Sequence, residues 1–569
     1  MRHISLRAVR LGLGAGLLLA TLSSAAFAET ALTAPQLQAA HNAGQGWLPR
    51  LTRTLVADGV RDLRAGIYWR NVERAGTYVF DDPTTTYPDA LSRAGAGMTL
   101  TLNAGHPEYD DGHTPHSAEA VAAMAAYAAA AVRRFPAIHT VEVGNEVNAG
   151  NFVSGPVHAA GIEARARYHL AILRAVYDAV KAERPGVRVL GGSAHSISGR
   201  YLGDVFARAG AEVMDALALH PYTTPIDLMQ REIAYLRRLP GAADIAIEIT
   251  EFGYDGPERP AADHLLRSYC AFALSDVHKV TWYPLHPRGD GYAPLYTERG
   301  QRTQVGAAYH LVLSELAGRP VRDAADDAFT RGCAFGPSEA PTHIVLWGAP
   351  RALSLAAGVL ARDATGAPAT PTQLSPDVPI LLSRADGGPV RLGEHVRLAP
   401  QTRRADSAMQ FDLPRDREAR APADAFERVL RTGGIDAPLV TRPGQETDGV
   451  PWRPYRASQE STFPRLTEDY LMTARGPRGP VDIVHRYHSD TAEALLLDLR
   501  LDPWEGSSDG VTLSIRAGDR TLYTSKLTEP LQLRQPIDLA AGAALEIAVG
   551  PGHSAEGDYV EYRIILEAR

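Results

Sequence analysis

Cysteine is nearly absent from this chain: two residues in 569, Cys270 and Cys333. Two thiols make no disulfide framework, so the fold must be held by burial of ordinary cores. Cys270 lies in the apolar helical pattern Tyr269-Cys-Ala-Phe-Ala-Leu274 and reads as a small core residue; pairing with Cys333 stays open, because it depends on a Cα separation. There is no long basic run, and 66 acidic against 58 basic residues give a formal charge of −8. Such a surface does not gather phosphates, which excludes nucleic acid as a natural partner. No His-x-x-x-His or paired-cysteine spacing supplies a metal site, and no Gly-x-Gly-x-x-Gly turn follows a strand. Gly191-Gly-Ser193-Ala-His195 misses the serine-hydrolase elbow Gly-x-Ser-x-Gly. No metal and no other cofactor is therefore expected. The loop 106–116, dense in His, Asp and Glu, is expected to rim a cleft rather than hold a cation. Solenoid-period repeats and low-complexity tracts are also missing.

What is present begins with a leader. Arg2, Arg7 and Arg10 precede the apolar run 11–22, and Ala26-Phe27-Ala28 offers the small residues of a cleavage site. A signal peptide over 1–28 is expected, with export to a periplasm or beyond the cell. Its apolar stretch is short for a membrane span, and no later segment is apolar enough for one. The mature chain is expected to leave the membrane and act as a monomer.

With 45% hydrophobic and 22% charged residues, the composition is that of a globular protein of about two to four domains. From 29 to 318, short β-like runs alternate with helical stretches, the pattern of a parallel sheet with crossover helices. Strands are predicted near 37–41, 60–68, 98–103, 138–144, 187–191, 214–220, 245–250 and 280–283, and helices over 117–135, 162–184 and 261–275. Eight strands in roughly 290 residues fit a (β/α)₈ TIM barrel, an α/β fold. Beyond Gly318-Arg319-Pro320 the helical period fades. A small antiparallel β-domain is predicted over 319–403 and a jelly-roll-like C-terminal β-sandwich over 404–569. Residues 403–407 and 414–422 read as a solvated connection, and 502–511 either as a loop able to face sugar or as part of a structural module braced against the barrel.

Two predicted strands run into carboxylates, Glu146 after Ile138-His-Thr-Val-Glu-Val-Gly144 and Glu251 after Ile245-Ala-Ile-Glu-Ile-Thr250. In a parallel barrel all strand C-termini open on one face. Two such acids meeting across one cleft are the equipment of glycoside hydrolysis: one protonates the leaving oxygen, the other attacks or activates water. Asn145, beside Glu146, can hydrogen-bond a sugar hydroxyl near the reacting carbon. Taken alone, Asn-Glu is equally a loop start that caps a helix.

The order of features adds weight: Arg64 and Trp69 on the second strand, Asn103 and His106 after the third, Asn145, Glu146 and Asn148 after the fourth. His220 and Tyr222 follow the sixth, Glu251 the seventh, and Trp282 sits on the eighth. With Arg64-Ala-Gly-Ile-Tyr-Trp69, Asn103-Ala-Gly-His-Pro107, Gly144-Asn-Glu-Val-Asn148 and Thr250-Glu-Phe-Gly-Tyr254, this succession resembles clan A of the retaining glycoside hydrolases. Within the clan it is most similar to family 39 and its relatives, including exopolysaccharide-cleaving endoglycosidases. The likeness spans about residues 35–400. It implies a polysaccharide or oligosaccharide substrate, Glu146 as acid/base and Glu251 as nucleophile. One departure stands out: the family's Asn-Glu-Pro-Asn has Val147 in place of proline.

On this reading Glu251 is ionised, while like charge and partial closure raise the pKa of Glu146 so that it holds a proton. Arg64 and Tyr222 are expected to reach Glu251. Trp69 and Trp282 are expected either to offer flat faces to sugar rings or to be ordinary core, and His106 and His220 either to bind hydroxyls or to sit satisfied in a polar network. Two alternatives are carried forward: a polysaccharide-binding protein on a degenerate barrel, and an inverting hydrolase with its carboxyls roughly 6.5–9.5 Å apart instead of about 5–5.5 Å.

Overall fold

The computed structural model describes residues 32–42, 44–415, 421, 423–507 and 509–569. The leader expected over 1–28 lies outside them, as does most of the charged stretch 414–422.

Eight parallel strands close into a barrel: β1 Gln36–Ala40, β2 Asp62–Ala65, β3 Gly97–Leu102, β4 Ile138–Val143, β5 Arg188–His195, β6 Ala216–His220, β7 Ile247–Phe252 and β8 Val277–Trp282. Each pairs with the next, and β8 returns to β1. The helices between them carry their own stop and start signals. Helix Ala118–Arg134 begins where the Ser117 hydroxyl accepts from the Ala120 amide; Glu119 lies in its first turn and Arg133 and Arg134 in its last, each complementing the helix dipole.

Polar side chains tie several strands together within the barrel. Gln38 of β1 donates to Asp62 of β2 and Thr99 of β3, and accepts from Thr281 of β8. Lys279 and His139 also reach Asp62, at 2.6 and 2.9 Å. These bonds link distant strands by side chain as well as backbone, so the scaffold under the barrel mouth is rigid.

The prediction of strand over 60–68 was too long. β2 stops at Ala65, and Trp69–Val72 form one helical turn. Within the apolar run that imitated a strand, Ile67 and Trp69 meet a neighbouring helix instead: Tyr127 donates to the Ile67 carbonyl at 2.6 Å and stacks on Trp69.

A second, antiparallel sheet follows the barrel, in the order Leu32–Thr33, Pro320–Asp323, Thr330–Phe335, His343–Gly348, Ile380–Arg384, Val359–Arg362. The strand Leu32–Thr33, first of the described residues, therefore belongs to this sheet rather than to the barrel. Cys333 on it is joined to Cys270 on helix Glu258–Ala273 by a disulfide, the Cα atoms 5.9 Å apart and both residues buried. The expectation of a plain core cysteine is corrected: the helix packs on the sheet closely enough for the two to meet.

The remainder is two antiparallel sheets face to face. Strand Glu493–Pro503 shows why: Leu495, Leu497, Leu499 and Leu501 alternate inward and meet Ile515, Ile547 and Val549 of the opposite sheet. Arg403–Asp406, read as a solvated connection, is a strand paired with Tyr559–Ala568, and Asp406 is buried between Arg403 and Arg563. Strand pairing takes its charges out of water in couples, which a linear reading of charge does not reveal.

Candidate active site

The end of β4 turns sharply. Gly144 at φ 86° and Glu146 at φ 46° both occupy the left-handed region, and a Cβ on Gly144 would stand 2.5 Å from the Val147 side chain. A non-glycine residue held there signals a position the surroundings over-determine. The turn throws Asn145 and Glu146 into the barrel mouth. Val147 explains itself: its amide donates to the Ser193 carbonyl at 3.0 Å, a bond that proline has no hydrogen to make.

Arg64, on β2, is the hub beneath them. Its guanidinium donates to Glu142 at 2.6 Å, to Glu251 at 2.7 Å and to the Asn145 side-chain oxygen at 2.8 Å. The expected Arg64–Glu251 contact is present, and Tyr222 donates to the other oxygen of Glu251 at 2.9 Å. Glu142 went unnoticed in the sequence. It is fully buried and also accepts from Thr250 at 2.8 Å and Thr101 at 3.2 Å. A carboxylate inside the apolar run Val141-Glu-Val143 was the available signal, since a buried charge demands partners. Burial pushes its pKa up, yet the Arg64 charge and His220 together hold it at about 2.

His220 is fully buried at the end of β6. The Thr250 hydroxyl hydrogen goes to Glu142, so its oxygen accepts from His220 Nε2 at 3.1 Å. His220 Nδ1 stands 3.0 Å from Glu146 Oε1 and 3.9 Å from Glu251 Oε2. By the triangle inequality the two carboxylate oxygens are then no more than 6.9 Å apart, the sum of those distances. Burial works against charging His220, but Glu251, Glu142 and Glu146 outweigh it and raise its pKa to about 9.

Glu146 corrects an expectation. Burial raises its pKa, but hydrogen bonds from His195 at 3.1 Å and from His220 overrule burial and bring it to about 2. The resting group is ionised, not proton-bearing. Both imidazoles meet the same oxygen, Oε1. His195 gets there through a bulge: β5 loses register with β6 between Gly191 and Ala194, with Gly192 and Ser193 at positive φ, and a bulge re-aims the side chain that follows.

A cleft opens beside this cluster, lined by His41, Arg64, Tyr68, Asn103, Asn145, Glu251 and Tyr283 among others. Asn103 and Asn145 are thus where the sequence put them. Four others are not. Trp69 is buried, stacked on Tyr109 and Tyr127 with its indole N–H given to Glu73. Trp282 is fully buried against Phe252, its N–H on the Ala293 carbonyl; strand alternation presents its successor, Tyr283, to the cleft instead. His106 is buried, bonded to the Glu73 carbonyl and the Glu108 amide. Asn148 spends its amide on the His195 backbone and on Gln445. His220, for its part, grips carboxylates and not sugar hydroxyls. The sequence reading also missed His41. It lies buried at the cleft wall, neither ring nitrogen has a protein partner among the described residues, and burial pushes its pKa down to about 3.

No protein-family model matches the chain, and no curated protein matches it. Among solved structures it is similar to a family 39 glycoside hydrolase from Bacteroides cellulosilyticus, with a TM-score of 0.51 and 17% identity over 62% of this chain and 81% of that one. A family 30 endoxylanase from Clostridium papyrosolvens gives a TM-score of 0.48 and 13% identity over 63% and 98%. A family 39 β-xylosidase from Caulobacter crescentus gives 0.41 and 16% over 62% and 96%. The first of these shares its fold with this chain.

Proposed function

We propose that the protein is a glycoside hydrolase that cleaves an O-glycosidic bond of a polysaccharide or oligosaccharide by double displacement. Glu251 is the nucleophile and Glu146 the acid/base. One observation carries this reading: acids from β4 and β7 lie within 3.0 and 3.9 Å of a single imidazole nitrogen. Their bounded separation admits the roughly 5–5.5 Å of a retaining pair and touches only the lowest edge of the inverting window, roughly 6.5–9.5 Å.

In the first step the His220 imidazolium passes its Nδ1 proton to Glu146; an oxygen of Glu251 then bonds to the anomeric carbon while the bond to the leaving oxygen breaks, and Glu146 gives that oxygen the proton. Water then attacks the glycosyl ester, yielding its proton to Glu146 and returning Glu251 as carboxylate. Arg64 and Tyr222 hold one oxygen of Glu251 each, which orients it without blocking attack. Asn145 and Asn103 offer donors and acceptors to the sugar held in the cleft. An export signal over 1–28 and a periplasmic or extracellular setting agree with a polysaccharide substrate.

The experiment is release of reducing ends from a panel of polysaccharides by the wild type and by Glu251→Ala. Activity in the wild type and its collapse in the variant support the proposal. Equal values in both return the protein to the alternative, a polysaccharide binder on a degenerate barrel.

A further inference from the structure

The C-terminal sandwich sends one loop into the barrel mouth. Between strands Val440–Arg442 and Tyr455–Ala457 the chain crosses to the barrel, where the Pro443 carbonyl accepts from the Gly199 amide at 2.8 Å. Gln445 makes a reciprocal pair with Asn148: its side-chain oxygen accepts from the Asn148 amide at 2.8 Å, and its own amide donates to the Asn148 carbonyl at 3.1 Å. Arg453 is buried and donates to Glu232 on a barrel helix at 3.0 Å and to Glu468 of the sandwich at 2.6 Å. Both ends of the loop are thereby pinned, and Trp452 is carried between them.

Trp452 is half-buried. Its ring meets His195 edge-on, centroids 5.4 Å apart and planes at 89°. His195 touches Glu146 and lies over Tyr222 at 6.0 Å and 24°, and Tyr222 in turn holds Glu251. Trp452 thus extends a row of rings that borders both acids, on the side of Glu146. The cleft described above lies on the other side, under the ends of β1 and β2, and in the closed order of strands β5 stands across from β1. The sugar that stays on the enzyme sits toward Glu251 and that cleft; the sugar that departs must sit beyond the acid, toward His195 and the indole. A flat, partly exposed indole suits the C–H face of a pyranose.

From this, and resting on the hydrolase reading above, we infer that Trp452 is the platform for the leaving-group sugar. The C-terminal domain is then a wall of the active site and not a separate carbohydrate-binding appendage. Nothing in the barrel sequence marks this, because the residue arrives from a segment some three hundred positions downstream of Glu146.

The test uses the full chain with xylohexaose, mannohexaose and cellohexaose, and with the corresponding glycosyl fluorides in both anomers. Fluoride departs with no sugar on the leaving side. For the sugar that is turned over, Trp452→Ala should cost at least about tenfold more in kcat/KM on the hexaose than on the fluoride. Trp452→Phe should recover most of the difference, which separates a platform from loss of folding. Equal losses on the two substrates, or a phenylalanine variant no better than alanine, overturn the inference and leave the hydrolase reading standing. A wild type that cleaves none of the hexaoses and none of the fluorides overturns both.

Discussion

His220 Nδ1 lies 3.0 Å from Oε1 of Glu146, in a pocket where the imidazole itself has no exposure. This contact, with its partner from His195, decides the protonation of the site. The resting pair is carboxylate and imidazolium, although the first chemical step requires a protonated acid. The alkaline side of the activity profile therefore reports how firmly two histidines hold Glu146 in its charged form.

Removing one holder should move that side. In His195→Ala the Glu146 carboxyl loses a hydrogen bond that lowers its pKa. The alkaline limb of kcat/KM is expected to shift to higher pH by about one unit. A limb that stays in place, or moves toward acid, contradicts the assignment of Glu146 as the group titrating there.

On the proposed assignment, Glu146→Ala removes the acid/base and leaves Glu251 free to attack. Turnover of an O-linked substrate should fall by about 10²- to 10⁴-fold. Added azide should restore rate on a substrate with a good leaving group, giving a glycosyl azide of retained configuration. An azide product of inverted configuration would point to Glu146 as the nucleophile instead.

Stability should depend on pH in both directions. The folded pKa of His220, about 9, stands above its ordinary 6.5, so its contribution is complete below about pH 6.5 and fades as pH rises through 9. Glu142 and Glu146, at about 2 against an ordinary 4.5, contribute fully above about pH 4.5 and lose that contribution as pH falls through 2. Thermal melts across pH should show a plateau between these limits, and His220→Gln should flatten the alkaline decline. A wild-type melting temperature that climbs between pH 6.5 and 9 would refute the raised histidine.

Glu142→Ala strips the buried carboxylate from Arg64, Thr250 and Thr101. Breaking a buried ion pair by removing one partner costs about 3–5 kcal/mol, which equilibrium urea unfolding would read directly. A loss below about 1 kcal/mol would show that Arg64 finds full compensation from Glu251 and Asn145.

The disulfide closes a separation of 63 residues between barrel helix and small sheet. Chain entropy assigns such a loop about 4 kcal/mol. Cys333→Ser should lower the unfolding free energy by that order, and a thiol assay of the denatured, unreduced wild type should find no free cysteine.

Much of the catalytic frame was legible in the chain itself. Alternation of strand-like and helix-like periods is a local property, so the eight barrel strands, the cap at Ser117 and the carboxylates following β4 and on β7 could be read residue by residue. Barrel closure then brought those two acids together, since every parallel strand ends on the same face. Asn145, Arg64 and Tyr222 follow from the same local logic.

The rest depended on neighbours far away in sequence. Trp69 and Trp282 looked like sugar platforms, yet only packing shows that other rings cover them. A single bulge in β5 makes His195 a partner of Glu146, and with His220 it reverses the expected protonation, because hydrogen bonding outweighs burial at that oxygen. Gln445 and Trp452 reach the mouth from another domain altogether. Strand order is written in short-range pattern; the charge state of an acid and the surface beside it are sums over contacts that exist only once the chain has closed on itself.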